Sequence, residues 1–344
     1  MMQHTLNFTF HQIVRLRLHT DDKACADFFR AEYRPYLSTR ANDTLPLVHL
    51  TFYHRRRRET PFTGVSFSHK LLARWVYGIE ITTNEVHLQV QGNRWAIPMV
   101  HHMLVHPSLR LLAARQGVLM LHAGAVAFRE RSIVLTGSGG VGKTTTTSLL
   151  LAQSSPQWAL HADDYVFLSP DGRTFSYLTR SHLHQPLLSW VPEVRHVLTT
   201  AERLKLRLLW LLRRGSQERL KWPVRLDAQR LWPQREHREM ARLKALVWLQ
   251  RQEATQATIT PFSPSAEDLD RLLKMNFHEA RHFITLLHAC HTLDQEILPP
   301  WREQERALLT KIAQQVPWYR LSIPSRHKDV SFLPLLQDLM GDTK

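Results

Sequence analysis

Apolar positions along this chain repeat with two different periods, and the places where the period changes mark out its elements. Near the start, Phe8, Phe10, Ile13-Val14 and Leu16 make one extended run, and residues 22–36 carry a helical pattern. Residues 47–53 and 86–90 alternate apolar and polar side chains, as half-buried strands do. After Pro98, the positions Met99, Leu104, Leu109 and Leu112 follow helical spacing, and Gly117 is placed to end that helix. The Arg55–Arg58 run, beside Pro61 and Gly64, is expected to be an exposed loop. Residues 1–115 therefore read as a small α+β domain.

From Val118 the order becomes β, then α, then β. Residues 118–121, 123–128 and 132–136 are strand candidates, and the last runs straight into a glycine-rich turn. A helix is expected from near Gly142 to about Gln153. Trp158-Ala159-Leu160-His161-Ala162 is the next strand and ends at Asp163-Asp164. Strands alternating with a helix argue for an α/β core. Further along, residues 244–249 read as a strand, 265–298 as two helices and 316–321 as a last short strand. The second domain is expected to span 116–344.

Composition changes this picture little, and charge changes it more. The chain has 344 residues, 43% of them hydrophobic and 22% charged, which excludes collagen-like, coiled-coil and disordered classes. Against 30 Asp+Glu stand 45 Lys+Arg, a net charge of +15. Thirteen of those basic residues, facing four acids, lie within 203–244, a stretch that reads as a basic insertion. Such a field favours acidic partners. Leu204, Leu208 and Leu211-Leu212 interleave with Arg203, Arg207 and Arg214 there, as in an amphipathic helix, with Trp210, Trp222 and Trp232 nearby. A solvated face, a membrane-surface contact and a dock for an acidic peptide all fit that pattern, and nucleic acid is disfavoured. Cys25 and Cys290 form no CxxC pair, the first residues lack a signal-peptide pattern, and the densest apolar stretch, 208–212, is far shorter than the roughly 18 residues of a membrane span. A cytoplasmic protein is expected.

The chemistry concentrates in Gly137-Ser138-Gly139-Gly140-Val141-Gly142-Lys143-Thr144, a complete GxxxxGK[ST] motif, followed by Thr145. Glycines allow backbone N–H groups to curl around phosphate oxygens. The lysine at Lys143 is expected to reach the β/γ-phosphates, and the Thr144 hydroxyl to complete a magnesium shell. Twenty residues after Lys143, Asp163-Asp164 ends the next strand, the edge where ligands of open α/β sheets gather. Neighbours on a regular strand point to opposite faces, so a turn is needed to bring both carboxylates inward. His122, alone beside apolar strands, reads from its surroundings as a core histidine.

Taken together, His122-Ala123-Gly124-Ala125-Val126-Ala127, the glycine motif and Ala162-Asp163-Asp164-Tyr165-Val166 resemble the kinase domain of HPr serine kinase/phosphorylase. The likeness is closer to the HPr-kinase-like bacterial proteins that include free-serine and lasso-peptide kinases. Residues 243–251 and 316–321 look like that group's distal strands, so the resemblance covers about 118 to 335. It implies a P-loop kinase fold related to phosphoenolpyruvate carboxykinase, with ATP as donor, Mg²⁺ as cofactor and a serine hydroxyl as acceptor. It also implies that His122 and one aspartate serve the attacking hydroxyl or the metal. The HPr enzyme's Glu-containing signature after the Asp pair is replaced here by Thr179-Arg180-Ser181-His182-Leu183-His184-Gln185-Pro186, and the first 115 residues differ from that enzyme's N-terminal domain. Reverse phosphorylase activity and HPr itself as substrate are therefore disfavoured.

The resulting expectation is an ATP- and Mg²⁺-dependent kinase acting on a serine-type hydroxyl of a peptide or protein. Its alternatives are a free amino acid kinase and a nucleotide-binding regulator without turnover. One competing motif, His278-Glu279-Ala280-Arg281-His282, is a literal HExxH of the zinc-protease kind. With 21 histidines in the chain such a match arises readily by chance, and His288 and His291 share its predicted helix rather than approaching from elsewhere. It is read as part of a helix serving the fold.

Overall fold

A computed structural model describes residues 2–39, 44–54, 62–69, 72–217, 224–253, 255–290, 294–324 and 330–341. The chain divides into two compact units, 1–120 with 266–311 and 121–265 with 312–344. The architecture is mixed α/β. Whereas the local pattern groups residues 266–311 with the second half of the chain, they pack with the first 120.

In the first unit, β1 (His4–Phe10) and β2 (Val14–Thr20) form an antiparallel hairpin rather than one extended run. The chain reverses through His11 and Gln12, both at positive φ, where Ile13 N–H donates to the Phe10 carbonyl. Next come α1 (Lys23–Glu32), β3 (Leu47–His54), β4 (Val65–His69), β5 (Ala73–Ile81) and β6 (Glu85–Gly92), giving the sheet order β1-β2-β3-β6-β5-β4. Val14, Leu16 and Leu18 alternate into the core opposite the buried Cys25, Ala26 and Phe29 of α1. The helix α2 (Ala96–Val100) continues into α3 (His106–Arg115) through a π turn at His101–Val105. Pro107 has no N–H to give back to the chain, and the widened turn accommodates it. Gly117, at φ 74°, follows as expected. The Arg55–Arg58 run lies outside the described residues.

The second unit is built on a nine-stranded mixed sheet. Its strands and helices run β7 (Leu119–His122), β8 (Gly124–Phe128), β9 (Arg131–Thr136), α4 (Lys143–Gln153), β10 (Trp158–Ala162), β11 (Tyr165–Leu168), β12 (Arg173–Tyr177) and β13 (Ser181–Leu183). Then follow α5 (Leu187–Trp190), α6 (Val194–Val197), α7 (Thr200–Gly215), β14 (Val224–Leu226), α8 (Ala228–Leu231), β15 (Met240–Gln252) and β16 (Thr258–Pro261). The expected insertion is thus not one appendage. Its pieces are a surface helix, a strand paired with β13, and the first part of β15.

Residues 266–311 supply α9 (Ala266–Glu279), α10 (Arg281–Ala289) and most of α11 (Asp294–Gln315), three helices where two were predicted, before β17 (Trp318–Pro324) and α12 (Phe332–Met340). The large sheet has the order β16-β17-β15-β9-β8-β10-β12-β11-β7, with β12 also touching β15. β15 lies parallel between β9 and β17, which is why Ala245-Leu246-Val247-Trp248-Leu249 is apolar on both faces. Among the described residues, no helix is long and apolar enough to cross a membrane.

Candidate functional site

The glycine-rich loop leaves the C-terminal end of β9, in the middle of the large sheet, and turns into α4. Gly137 sits at φ 142° beside β15, and a Cβ there would stand 2.6 Å from the Leu249 carbonyl oxygen. No other residue type fits that approach. Gly140 (φ 79°) and Gly142 (φ 118°) are also left-handed, and Gly142 is the N-cap of α4. Val141 is buried and pins the loop to the core, while Ser138, Gly139 and Gly140 are exposed. Nothing lies within 4 Å of the Cβ positions of Gly139 and Gly140, so the loop's outer side is open.

Lys143 is buried, and its Nζ donates to the Gly137 carbonyl at 2.9 Å, folding the ammonium back over the loop. Thr144 and Thr145 follow in the first turn of α4, whose helical bonding starts with Thr146 N–H to the Gly142 carbonyl at 2.8 Å. Having no side chain, Gly142 offers that turn no cap, and the positive end of the helix faces the loop. Arg251, near the end of β15, completes the wall: its Nε donates to the Val141 carbonyl at 3.1 Å and its guanidinium reaches the Pro324 carbonyl at 2.9 Å.

Asp163 and Asp164 form the bend between β10 and β11 rather than part of a strand. That bend sends the two carboxylates to adjacent residues of β13. The Asp163 carboxylate accepts from the Thr144 and Ser181 hydroxyls and from the His182 backbone N–H. The Asp164 carboxylate lies 3.4 Å from His182 Nδ1. Burial, and then the second carboxylate beside it, push the Asp163 carboxyl well above the usual carboxylate range, against the pull of its three donors. An apolar hollow lies behind the Thr144–Asp163 contact, lined among others by Leu151, Leu160, Leu187 and Trp232.

His122 ends β7, and its ring meets Tyr165 edge-on at 5.1 Å between centroids. The backbone ties this segment to the aspartates, since Ala123 N–H donates to the Asp164 carbonyl at 3.0 Å. Gly124 permits close packing there: a Cβ would stand 3.0 Å from Thr147 Cγ2 and 3.5 Å from the Asp163 carbonyl. Thr144 and Asp163 therefore touch directly, Asp164 is turned to His182, and His122 reaches the same strand ends through Tyr165 and the backbone. Sequence reasoning did not single out Ser181, His182 or Arg251. Nothing in their spacing marks them, because each arrives through the tertiary fold: Ser181 and His182 on β13, and Arg251 on β15, which pairs with β9.

The donor set suits a magnesium–nucleotide pair. Thr144, Asp163 and Asp164 offer hard oxygen donors, the chemistry Mg²⁺ prefers. Two neighbouring carboxylates, one of them pushed up by burial and by the other's charge, gain from a divalent cation that offsets their repulsion. Gly139 and Gly140, exposed and with open space at their Cβ positions, leave room for phosphate oxygens beside the helix start. The HExxH motif is arranged differently. His278 and Glu279 end α9, Ala280 breaks the helix, and His282 lies in α10, so the one-helix pairing of a zinc site is not formed. Among the described residues, no group of three or more His, Cys, Asp or Glu could hold a metal ion. No family model matches this chain, and no curated protein matches it.

Proposed function

We propose that the chain is an ATP- and Mg²⁺-dependent kinase that transfers the γ-phosphoryl group to a serine-type hydroxyl of a peptide or protein. In this reading the second unit is a P-loop kinase core related to HPr kinase and phosphoenolpyruvate carboxykinase, preceded in the chain by a smaller α+β part. The observation that carries it is the contact of Thr144 with Asp163, which sets a carboxylate pair beside a glycine loop, a buried lysine and an uncapped helix start.

The loop amides and Lys143 bind and orient the phosphates, and the α4 N-terminus adds its partial positive charge. Thr144 with Asp163 would hold Mg²⁺, which supplies charge neutralisation on the phosphates. Asp164, oriented by His182, takes the proton of the acceptor hydroxyl, and His122 positions the Tyr165–Asp164 edge. Transfer of this kind depends mainly on positioning and electrostatics, which rigid strand ends provide.

The test is transfer from radiolabelled ATP to serine-containing peptides and to free serine. Lys143→Ala is expected to abolish transfer, while Asp164→Asn abolishes transfer and leaves Mg²⁺-ATP binding measurable by calorimetry. Full transfer by the Lys143 variant would place the chemistry elsewhere. Labelling of free serine alone would assign the amino acid kinase reading, and ATP binding without any turnover would assign the regulator.

A further inference from the structure

The helix α7 presents an apolar stripe that the fold does not use. Leu204, Leu208, Leu211 and Leu212 are 67%, 55%, 59% and 42% exposed, four of the nine large apolar side chains exposed among the described residues. At 100° per residue they occupy one continuous arc of the helix. The opposite side does the packing: Leu206 is buried, Leu209 packs against the core, and Trp210 and Arg213 line a small cavity with Leu183 and Pro186. The helix is also well anchored at its start. Thr199 and Glu202 form a reciprocal capping box, and Arg230 pairs with Glu202 at 2.7 Å.

The borders of the stripe are basic. Arg203, Arg207 and Arg214 follow one edge and Lys205 the other, all exposed. Arg214 lies over the Trp210 ring at 4.8 Å, at the border between the stripe and the packed side of the helix. The helix's single acid, Glu202, is occupied by Arg230.

We propose that α7 docks this protein on an anionic lipid surface, with the four leucines at the headgroup–acyl boundary and the flanking arginines and Lys205 on lipid phosphates. A narrow leucine stripe edged by Arg and Lys is the pattern of a helix that lies in the plane of the interface. Other occupants fit less well. A second copy placed stripe to stripe would bring two sets of arginines together. A nucleic acid has no use for four exposed leucines. A peptide helix needs a groove, whereas these side chains form a ridge, and the adjacent cavity lies under the other side of α7. The docking is independent of whether the glycine-loop site turns over.

The experiment is flotation of the full chain with vesicles of phosphatidylcholine alone, or with about a third phosphatidylglycerol, at low and high salt. Wild type is expected to float with the anionic vesicles, not the neutral ones, and to be released as salt rises. The triple variant Arg203→Gln/Arg207→Gln/Arg214→Gln is expected to lower the partition coefficient about a hundredfold, at about 1 kcal/mol per basic residue. Leu208→Ser/Leu211→Ser, both at exposed positions, is expected to lower it about tenfold or more with Tm unchanged. No flotation of wild type overturns the proposal. So does an arginine-only dependence, which would mean adsorption without insertion, and so does capture of an acidic amphipathic peptide without vesicle binding.

Discussion

Replacing Glu305 tests what holds the discontinuous first unit together. Glu305, in α11, is fully buried and takes two bonds from the guanidinium of Arg110 in α3, one from Nε at 2.6 Å and one from Nη2. The two residues are 195 positions apart. The Trp301 indole donates to the same carboxylate at 3.0 Å, and Arg110 also donates to the Asn276 carbonyl at 2.6 Å while lying 4.4 Å over the Phe277 ring. Glu305→Gln keeps the shape and removes the charge, leaving a guanidinium buried without its counter-ion. Breaking a buried pair at one partner costs about 3–5 kcal/mol. Because the glutamine oxygen still accepts one bond, the lower end, about 3 kcal/mol, is expected. For a unit of this size that lowers Tm by about 6–12 °C. Urea titration followed by tryptophan fluorescence and far-UV circular dichroism measures it, with Trp301 reporting from beside the pair. The double variant Arg110→Met/Glu305→Leu should recover part of the loss, because no lone charge remains buried. A cost below about 1 kcal/mol for Glu305→Gln, with no coupling in the cycle, would show that packing alone joins α3 to α11.

Gly137→Ala should destabilise the protein by about 1–3 kcal/mol, since its Cβ meets the Leu249 carbonyl at a positive φ, while Gly139→Ala, with open space around it, should stay within about 0.5 kcal/mol. Equal effects in thermal melts would mean that β15 does not hold the loop as described. Burial first, and then the charges of Arg281, His69, His102 and His278, lower the pKa of His282 to about 4. The unfolded chain then binds a proton that the folded one refuses, so this contribution to stability should be present above about pH 6.5 and fade as pH falls toward 4. His282→Gln should flatten that part of the pH–stability curve, and an unchanged slope would place the effect on other groups.

Much of the site's local geometry can be read from the chain alone. An apolar run, glycines at left-handed positions, then Lys143 and a threonine-rich helix start describe β9, the loop and α4 to within a residue, because each depends on neighbours in sequence. The strand before Asp163-Asp164 is equally legible. The edge strand Val65–His69 is harder to read, since its Val-Ser-Phe-Ser alternation is short, follows Pro61 and Gly64, and buries its inward side chains only halfway. Nor does any local pattern announce the companions of the aspartates. Ser181 and His182 reach them because β13 folds back beside the bend, and Arg251 reaches the loop because β15 pairs with β9. The same limit explains why residues 266–311 pack with the N-terminal unit. Periodicity shows that a helix has an apolar face but carries no address for the surface that will cover it. That surface is chosen by the long-range match of shape and buried charge, as between Arg110 and Glu305, which exists only once the tertiary structure has formed.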